Sequence, residues 1–216
     1  MSWASFNVVE VMSSARFHLK SVGYLAAVQS FNQDTDVLML TTNLLKKVRS
    51  RRTRSLKSML KLWSCCQDLS STPGDIAVTL DGISHIVTPD LARDLSPELI
   101  AMLNHSRAQI RKRAILVLYK IFVKYPEASQ NGMDRLREKL EDTDPGKSHP
   151  KRRMYRYDAE RSSGVVAATV NVLCELARKN PRDYLLLAPQ LFHLLTTSSN
   201  NWMLIKIIKL VRFKTL

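Results

Sequence analysis

The stretch LNHSRAQIRKRAILVLYKIFVKYP, residues 103–126, decides the fold. Within it Ile110, Ala114, Val117, Leu118 and Ile121 recur at three- and four-residue steps, which places them on one face of a helix. The stripe stops before Pro126, a residue with no N–H to donate to a continuing helix.

Working outward, a second copy of this unit is present but interrupted. LEDTDPG at 140–146, joined directly to VVAATVNVLCELARKNP at 165–181, gives the same length of 24 residues. Leu103 then aligns with Leu140, Ile110 with Val165, Val117 with Val172, Leu118 with Leu173, Ile121 with Leu176 and Pro126 with Pro181. With residues 147–164 set aside, the proline-to-proline period is 37 residues, close to the roughly 40 of HEAT-type repeats. Residues 147–164 therefore read as an insertion between the turn and the second helix of one repeat.

Further out the pattern stays helical. Trp3, Phe6, Val9 and Ala15 mark a first amphipathic segment, and Val22, Leu25, Ala26 and Gln29 a second. Val37, Leu40, Thr41 and Leu44 form a third, capped by Asp34 or Thr35, and Ile76, Leu80, Ile83 and Val87 a fourth. Thr88-Pro89 and Ser96-Pro97 each read as an N-cap followed by proline at the first helical position. Met133, Leu136 and Leu140 give a short helix before the turn Asp144-Pro145-Gly146, and Leu204, Ile207, Ile208 and Val211 a last stripe. No stretch of strict alternation competes. The spacing predicts an all-α chain, an α-solenoid of HEAT/armadillo-like repeats.

Composition agrees. Apolar residues are 45% of the 216, and six glycines and eight prolines are too few for disorder or a turn-rich β sandwich. No apolar run is long enough to span a bilayer. Asn7 and Glu10 interrupt any leader-like N-terminus, so no signal peptide and a cytosolic compartment are expected. Adjacent Cys65 and Cys66 with a distant Cys174 lack metal-ligand spacing and read as free thiols.

The net charge of +14 is unevenly spread. Residues 48–67 hold Arg49, Arg51, Arg52, Arg54, Lys57 and Lys61 with no acid. Residues 147–164 hold Lys147, Lys151, Arg152, Arg153, Arg156 and Arg161 against Asp158 and Glu160. At net six and net four, these two islands carry ten of the fourteen charges. Gly146-Lys147-Ser148 is what a G followed by the splice-donor sequence GTAAGT encodes in frame. Val48-Arg49 and Val211-Arg212 can also begin with GT, and Gln67 can be a CAG that ends an intron. Both islands thus read as retained-intron-like insertions, with a third intron read into a stop after Leu210; the alternative is genuine basic loops. Burying unpaired charge is costly, so both islands are expected outside the packed repeats as poorly ordered loops or loosely attached helices.

No catalytic constellation emerges. His18, His85, His105, His149 and His193 have no HExxH or four-residue pairing, and no GxSxG, Walker loop or GxGxxG is present. No enzyme activity, metal or cofactor is expected. The candidate site is the basic cluster Arg111, Lys112 and Arg113 at a helix start, which can dock acidic lipid headgroups or a partner's acidic surface. The alternative is a solvated face of the repeat, with the stripe from Ile110 to Ile121 facing the core.

Four blocks carry a family resemblance: residues 1–31, 36–47, 87–127 and 171–210. They contain GYL at 23–25, IRKRA at 110–114 and NNWMLIKIIKL at 200–210. In these blocks the chain resembles the adaptins, the large subunits of adaptor-protein complexes, and among them the delta branch of the third complex. The resemblance implies a fragment of an N-terminal helical trunk spanning 1–216, in a non-catalytic scaffold subunit of a membrane coat. It implies as partners a second large, a medium and a small adaptor chain and an Arf-family small GTPase. It also implies peripheral contact with the cytosolic face of Golgi or endosomal membranes, and sorting toward lysosome or vacuole. No nucleic acid is expected as a partner. The competing reading is a basic α-solenoid that binds nucleic acid through its islands.

Overall fold

Short helices with one apolar face must bury that face against each other, and these do so in neighbouring pairs. The computed structural model describes residues 4–32, 38, 41, 72–140, 155–198 and 200–214. Among these residues all regular structure is helical. The helices are α1 (Ser5–Met12), α2 (Phe17–Ser30), α3 (Pro73–Ile86), α4 (Pro89–Met102), α5 (Ala108–Lys124), α6 (Glu127–Glu138), α7 (Tyr155–Lys179), α8 (Ala188–Thr197) and α9 (Asn201–Lys214). A 3-10 segment, Pro181–Leu187, joins α7 to α8. The chain divides into two units: Met1–Ala101 with Lys120–Ala128, and Met102–Tyr119 with Ser129–Leu216.

In the first unit α1 packs on α2 and α2 on α3. Both contacts rest on glycine. A Cβ at Gly23 would stand 2.6 Å from the Met12 backbone nitrogen and 2.9 Å from its Cα, so α2 approaches the backbone of α1 directly. A Cβ at Gly82 would run into the ring of Tyr24, which is buried. This close approach overturns the expected face of α2. Val22 and Leu25 are exposed, Leu25 at 60%, whereas Lys20, Gly23, Tyr24 and Ala27 are buried. The buried set lies two residues away from the expected one, about 200° around the helix. The largest apolar side chains do not choose the face here; the smallest residue does, because it lets the helix axes come together. In α1, likewise, Phe6 is 66% exposed, and Ser5 and Met12 are buried instead.

The α3 face is as expected, with Ile76, Leu80, Ile83 and Val87 buried. Thr72 caps its start: the hydroxyl oxygen accepts from the Asp75 amide at 3.4 Å and donates to the Asp75 carboxylate at 2.8 Å. Thr88 caps α4 by accepting from the Leu91 amide at 3.3 Å. Ser96-Pro97 is not a cap, a correction to the sequence reading, because α4 runs through Pro97 without a break. A proline leaves the carbonyl four residues earlier without its helical donor. Here that carbonyl belongs to Arg93, and the Ser96 hydroxyl donates to it at 3.0 Å. Buried Leu91, Ala92, Leu95 and Leu99 hold the helix in place around the proline.

Between 36 and 47, Leu38 and Thr41 are helical and buried, and Thr41 donates to the Leu38 carbonyl at 2.6 Å. Val37, Leu40 and Leu44 lie outside the described residues, as do Cys65, Cys66, residues 48–67 and residues 147–154.

The repeat is visible position by position. Ile110, Ala114, Val117, Leu118 and Ile121 of α5 are buried, and so are Val165, Thr169, Val172, Leu173 and Leu176 of α7, each 55 residues on. Thr169 holds the position of Ala114 by donating its hydroxyl to the Val165 carbonyl at 2.9 Å. The two helices also stop alike. The Tyr125 amide donates to Ile121 at 2.7 Å and the Asn180 amide to Leu176 at 3.2 Å, each just before a proline. Their starts differ. The counterpart of Ala108 is position 163, but α7 begins at Tyr155. The final residues of the second island are therefore not a loop; they continue α7 upstream as an overhang of eight residues, about 12 Å long.

In the second unit α7 packs on α9 and on the 3-10 segment, and α8 touches both the segment and α9. Over 201–212 of α9, Met203, Ile207 and Leu210 are buried, while Ile208 and Val211 face out. The stripe expected at Leu204, Ile207, Ile208 and Val211 is thus turned by about one residue. Polar ties help to set this orientation. Lys206 donates to the Glu175 carboxylate of α7 at 3.0 Å, and Arg178 lies 3.3 Å from its other oxygen.

The hydrogen bond from Lys206, with the charges of Lys206 and Arg178, holds Glu175 below its ordinary value of 4.5 against an opposing push from burial. A carboxylate with a depressed folded pKa contributes stability above its unfolded value and loses that contribution as pH falls through the folded one. Lys206→Met is therefore expected to lower stability by about 1 kcal/mol at neutral pH, with the deficit fading as Glu175 protonates in acid. Urea melts of both chains at neutral and acidic pH check this. A deficit that persists in acid would assign the effect to packing of the Lys206 stem instead.

Candidate functional site

The basic cluster sits where the chain turns from α4 into α5. Leu103 is buried and anchors the turn, and the His105 amide donates back to the Met102 carbonyl at 3.1 Å. The Arg107 amide donates to His105 Nδ1 at 3.1 Å. One guanidinium nitrogen of Arg111 closes the turn by donating to the carbonyls of His105 at 2.9 Å and Ser106 at 3.0 Å. Arg111 is thus half-buried and tied to the backbone, not extended toward a partner. Lys112 is exposed and Arg113 half-buried. The structure brings Arg111 together with Arg107, an exposed residue that the sequence reading passed over. Its signal was its place at the helix boundary, one turn ahead of Arg111.

The turn is electropositive because Arg107 and Arg111 gather at a helix start. No acidic residue lies in the first turn of α5 to offset the positive end of the helix dipole. Burial, followed by the charges of Arg107 and Arg111, holds the His105 pKa below its ordinary 6.5. Beside this turn lies α7: a Cβ at Gly164 would stand 3.9 Å from Lys112 Cδ, an ordinary packing distance. The α7 overhang thus leaves the packed repeat next to the Lys112 stem.

Among the described residues the histidines do not come together. His18, His85 and His193 are exposed on separate helices, and His149 lies outside the described residues. Cys174 is a buried free thiol whose pKa burial pushes up to about 11. Among the described residues no group of three or more His, Cys, Asp and Glu is placed to hold a metal ion. None of the described helices is long and apolar enough to cross a membrane.

The family described as Adaptin N terminal region matches residues 1–214. The chain belongs to the adaptin family. It is 47% identical over 211 residues to the AP-3 complex subunit delta-1 of Bos taurus, covering 97% of this chain and 14% of that one. It is 49% identical over 210 residues to the AP-3 complex subunit delta of Schizosaccharomyces pombe, covering 97% of this chain and 21% of that one. In structure it resembles a chain from a homology model of the full-length AP-3 complex in an intermediate open conformation. There the TM-score is 0.69 at 40% identity, over 97% of this chain and 30% of the other. This adaptin chain therefore spans between a seventh and a third of the length of these relatives, and its delta-type character agrees with the blocks read from the sequence.

Proposed function

We propose that this adaptin chain is part of the N-terminal trunk of a delta-type large subunit in an AP-3-like adaptor complex. In this role it is a non-catalytic scaffold. Its helical repeats pair with a second large, a medium and a small chain, and an Arf-family small GTPase recruits the assembly to the cytosolic face of Golgi or endosomal membranes. The assembly sorts cargo toward lysosome or vacuole. The observation that carries the reading is identity of 47–49% to AP-3 delta subunits along 97% of the chain, together with the matching fold. Residues 48–67 and 147–164 are insertions in this trunk. The 55-residue offset between equivalent buried positions supports the second of them.

Affinity capture of the full-length parent subunit, with the bound chains identified by mass spectrometry, tests the reading. The expected result is co-purification of one large, one medium and one small adaptor chain. Capture without them would defeat the scaffold assignment. Sequencing transcripts across the codons of residues 46–68 and 146–165 tests the insertions. A dominant message that retains both would make them ordinary parts of the protein.

A further inference from the structure

We propose that Thr72 is a phosphorylation site for a proline-directed kinase, and that its phosphate acts through Asp75 in the first turn of α3. The chain holds three Ser/Thr-Pro steps, Thr72-Pro73, Thr88-Pro89 and Ser96-Pro97. Their surroundings single out the first.

Such a kinase has to draw a hydroxyl and the proline after it into a cleft as extended chain. Ser96 is unsuited to this. It is 9% exposed, lies inside α4, and its hydroxyl donates to the Arg93 carbonyl at 3.0 Å. Thr88 is half-buried, follows buried Val87, and accepts from the Leu91 amide at 3.3 Å. Thr72 is exposed, and so is Gly74 two residues on. Its backbone is already extended, at φ −67° and ψ 153°, the region that a following proline favours. The Asp75 amide reaches its hydroxyl at 3.4 Å, longer than the usual amide hydrogen bond, so the cap opens at low cost.

The step moves the γ-phosphoryl group of ATP to the Thr72 hydroxyl oxygen. A new P–O bond forms to the threonine as the bond to the β-phosphate oxygen breaks. ADP leaves, and the hydroxyl proton passes to the catalytic aspartate of the kinase. The product alters the cap in two opposed ways. A dianion suits the positive end of a helix and can accept from the amides there. The ester, however, has no proton to donate, so the 2.8 Å bond from Thr72 to the Asp75 carboxylate is lost and two negative groups face each other instead. The first turn of α3 is also packed, since a Cβ at Gly74 would stand 3.2 Å from the Phe17 ring of α2. A phosphate that displaces Asp75 therefore bears on the α2–α3 contact. Encounter with a kinase in the cell rests on the cytosolic placement proposed above; the acceptor chemistry does not.

The test is incubation of the full 216-residue chain with ATP and a mitogen-activated protein kinase, the phosphate being mapped by mass spectrometry. Peptides of residues 67–77, 83–93 and 91–101 give the reactivity of each step free of the fold. Thr72 is expected to be labelled in the folded chain, and Thr88 and Ser96 to be labelled about tenfold or more slowly than in their peptides. Thr72→Ala is expected to remove the label. The site is overturned if the folded chain or the 67–77 peptide is not labelled at Thr72, or if Thr88 or Ser96 reacts as fast in the folded chain. Phosphorylation is expected to shift the melting temperature more favourably in Asp75→Asn than in the parent chain, by about 2–4 °C. Asp75→Ser is the second variant should the first not fold. Equal shifts with and without the carboxylate would overturn the role given to Asp75. Capture of sister subunits tests the adaptor assignment separately, and neither result depends on the other.

Discussion

Leu118→Ala and Leu173→Ala are each expected to destabilise the chain by about 2–5 kcal/mol. Both side chains are essentially inaccessible, at 0% and 1% exposure, and both sit at the centre of a helix stripe whose neighbours are also buried. Truncation removes three carbon atoms' worth of buried surface and leaves a cavity that a close-packed interior fills only in part. The two losses should be similar in size, because the sites occupy the same place in successive repeats. Chemical denaturation of the two variants against the parent chain measures this. A change of a few tenths of a kcal/mol at either site would mean that the 55-residue correspondence does not describe the packing.

Gly23→Ala is the second large effect, in spite of alanine being the better helix former by about 1 kcal/mol. The added methyl would meet the Met12 backbone nitrogen at 2.6 Å and the Val11 carbonyl carbon at 2.9 Å. Backbone cannot swing aside as a side chain can, so α1 and α2 must move apart. A net loss of about 1–3 kcal/mol is expected. Gly74→Ala is the control. Its methyl would meet only the Phe17 ring, at 3.2 Å, and Phe17 is exposed and able to give way. That variant should be near neutral. Thermal melts that rank Gly74→Ala as the more damaging of the two would contradict the account of the α1–α2 contact.

These two sites also mark how much of the molecule was readable from the residues. The α5 and α7 stripes were legible because a long run of apolar residues at helical spacing leaves only one face to bury. The α2 face was not, because its contact depends on where two backbones come closest, and a single glycine carries that information without any apolar signal. Pro97 misled for a related reason. The rule that proline starts helices assumes that no other donor serves the orphaned carbonyl, and Ser96 supplies one to Arg93. At the candidate site, Arg111, Lys112 and Arg113 read alike as charges. Only the turn geometry separates Arg111, bound to two carbonyls, from Lys112, which is exposed, and adds Arg107 to the group.

The matched endings of α5 and α7 give this architecture a direction of tolerance. Each helix has a proline two residues past its last helical residue, and the core positions keep fixed distances counted back from that proline. Residues added upstream, as ahead of Val165, leave that count untouched, so every buried side chain keeps its place while the helix grows at its head. One residue added between Leu176 and Pro181 would instead turn the stop by about 100° against the stripe. Length variation in such repeats should therefore gather before the second helix and be purged after it. A helix held by its tail is free to vary at its head.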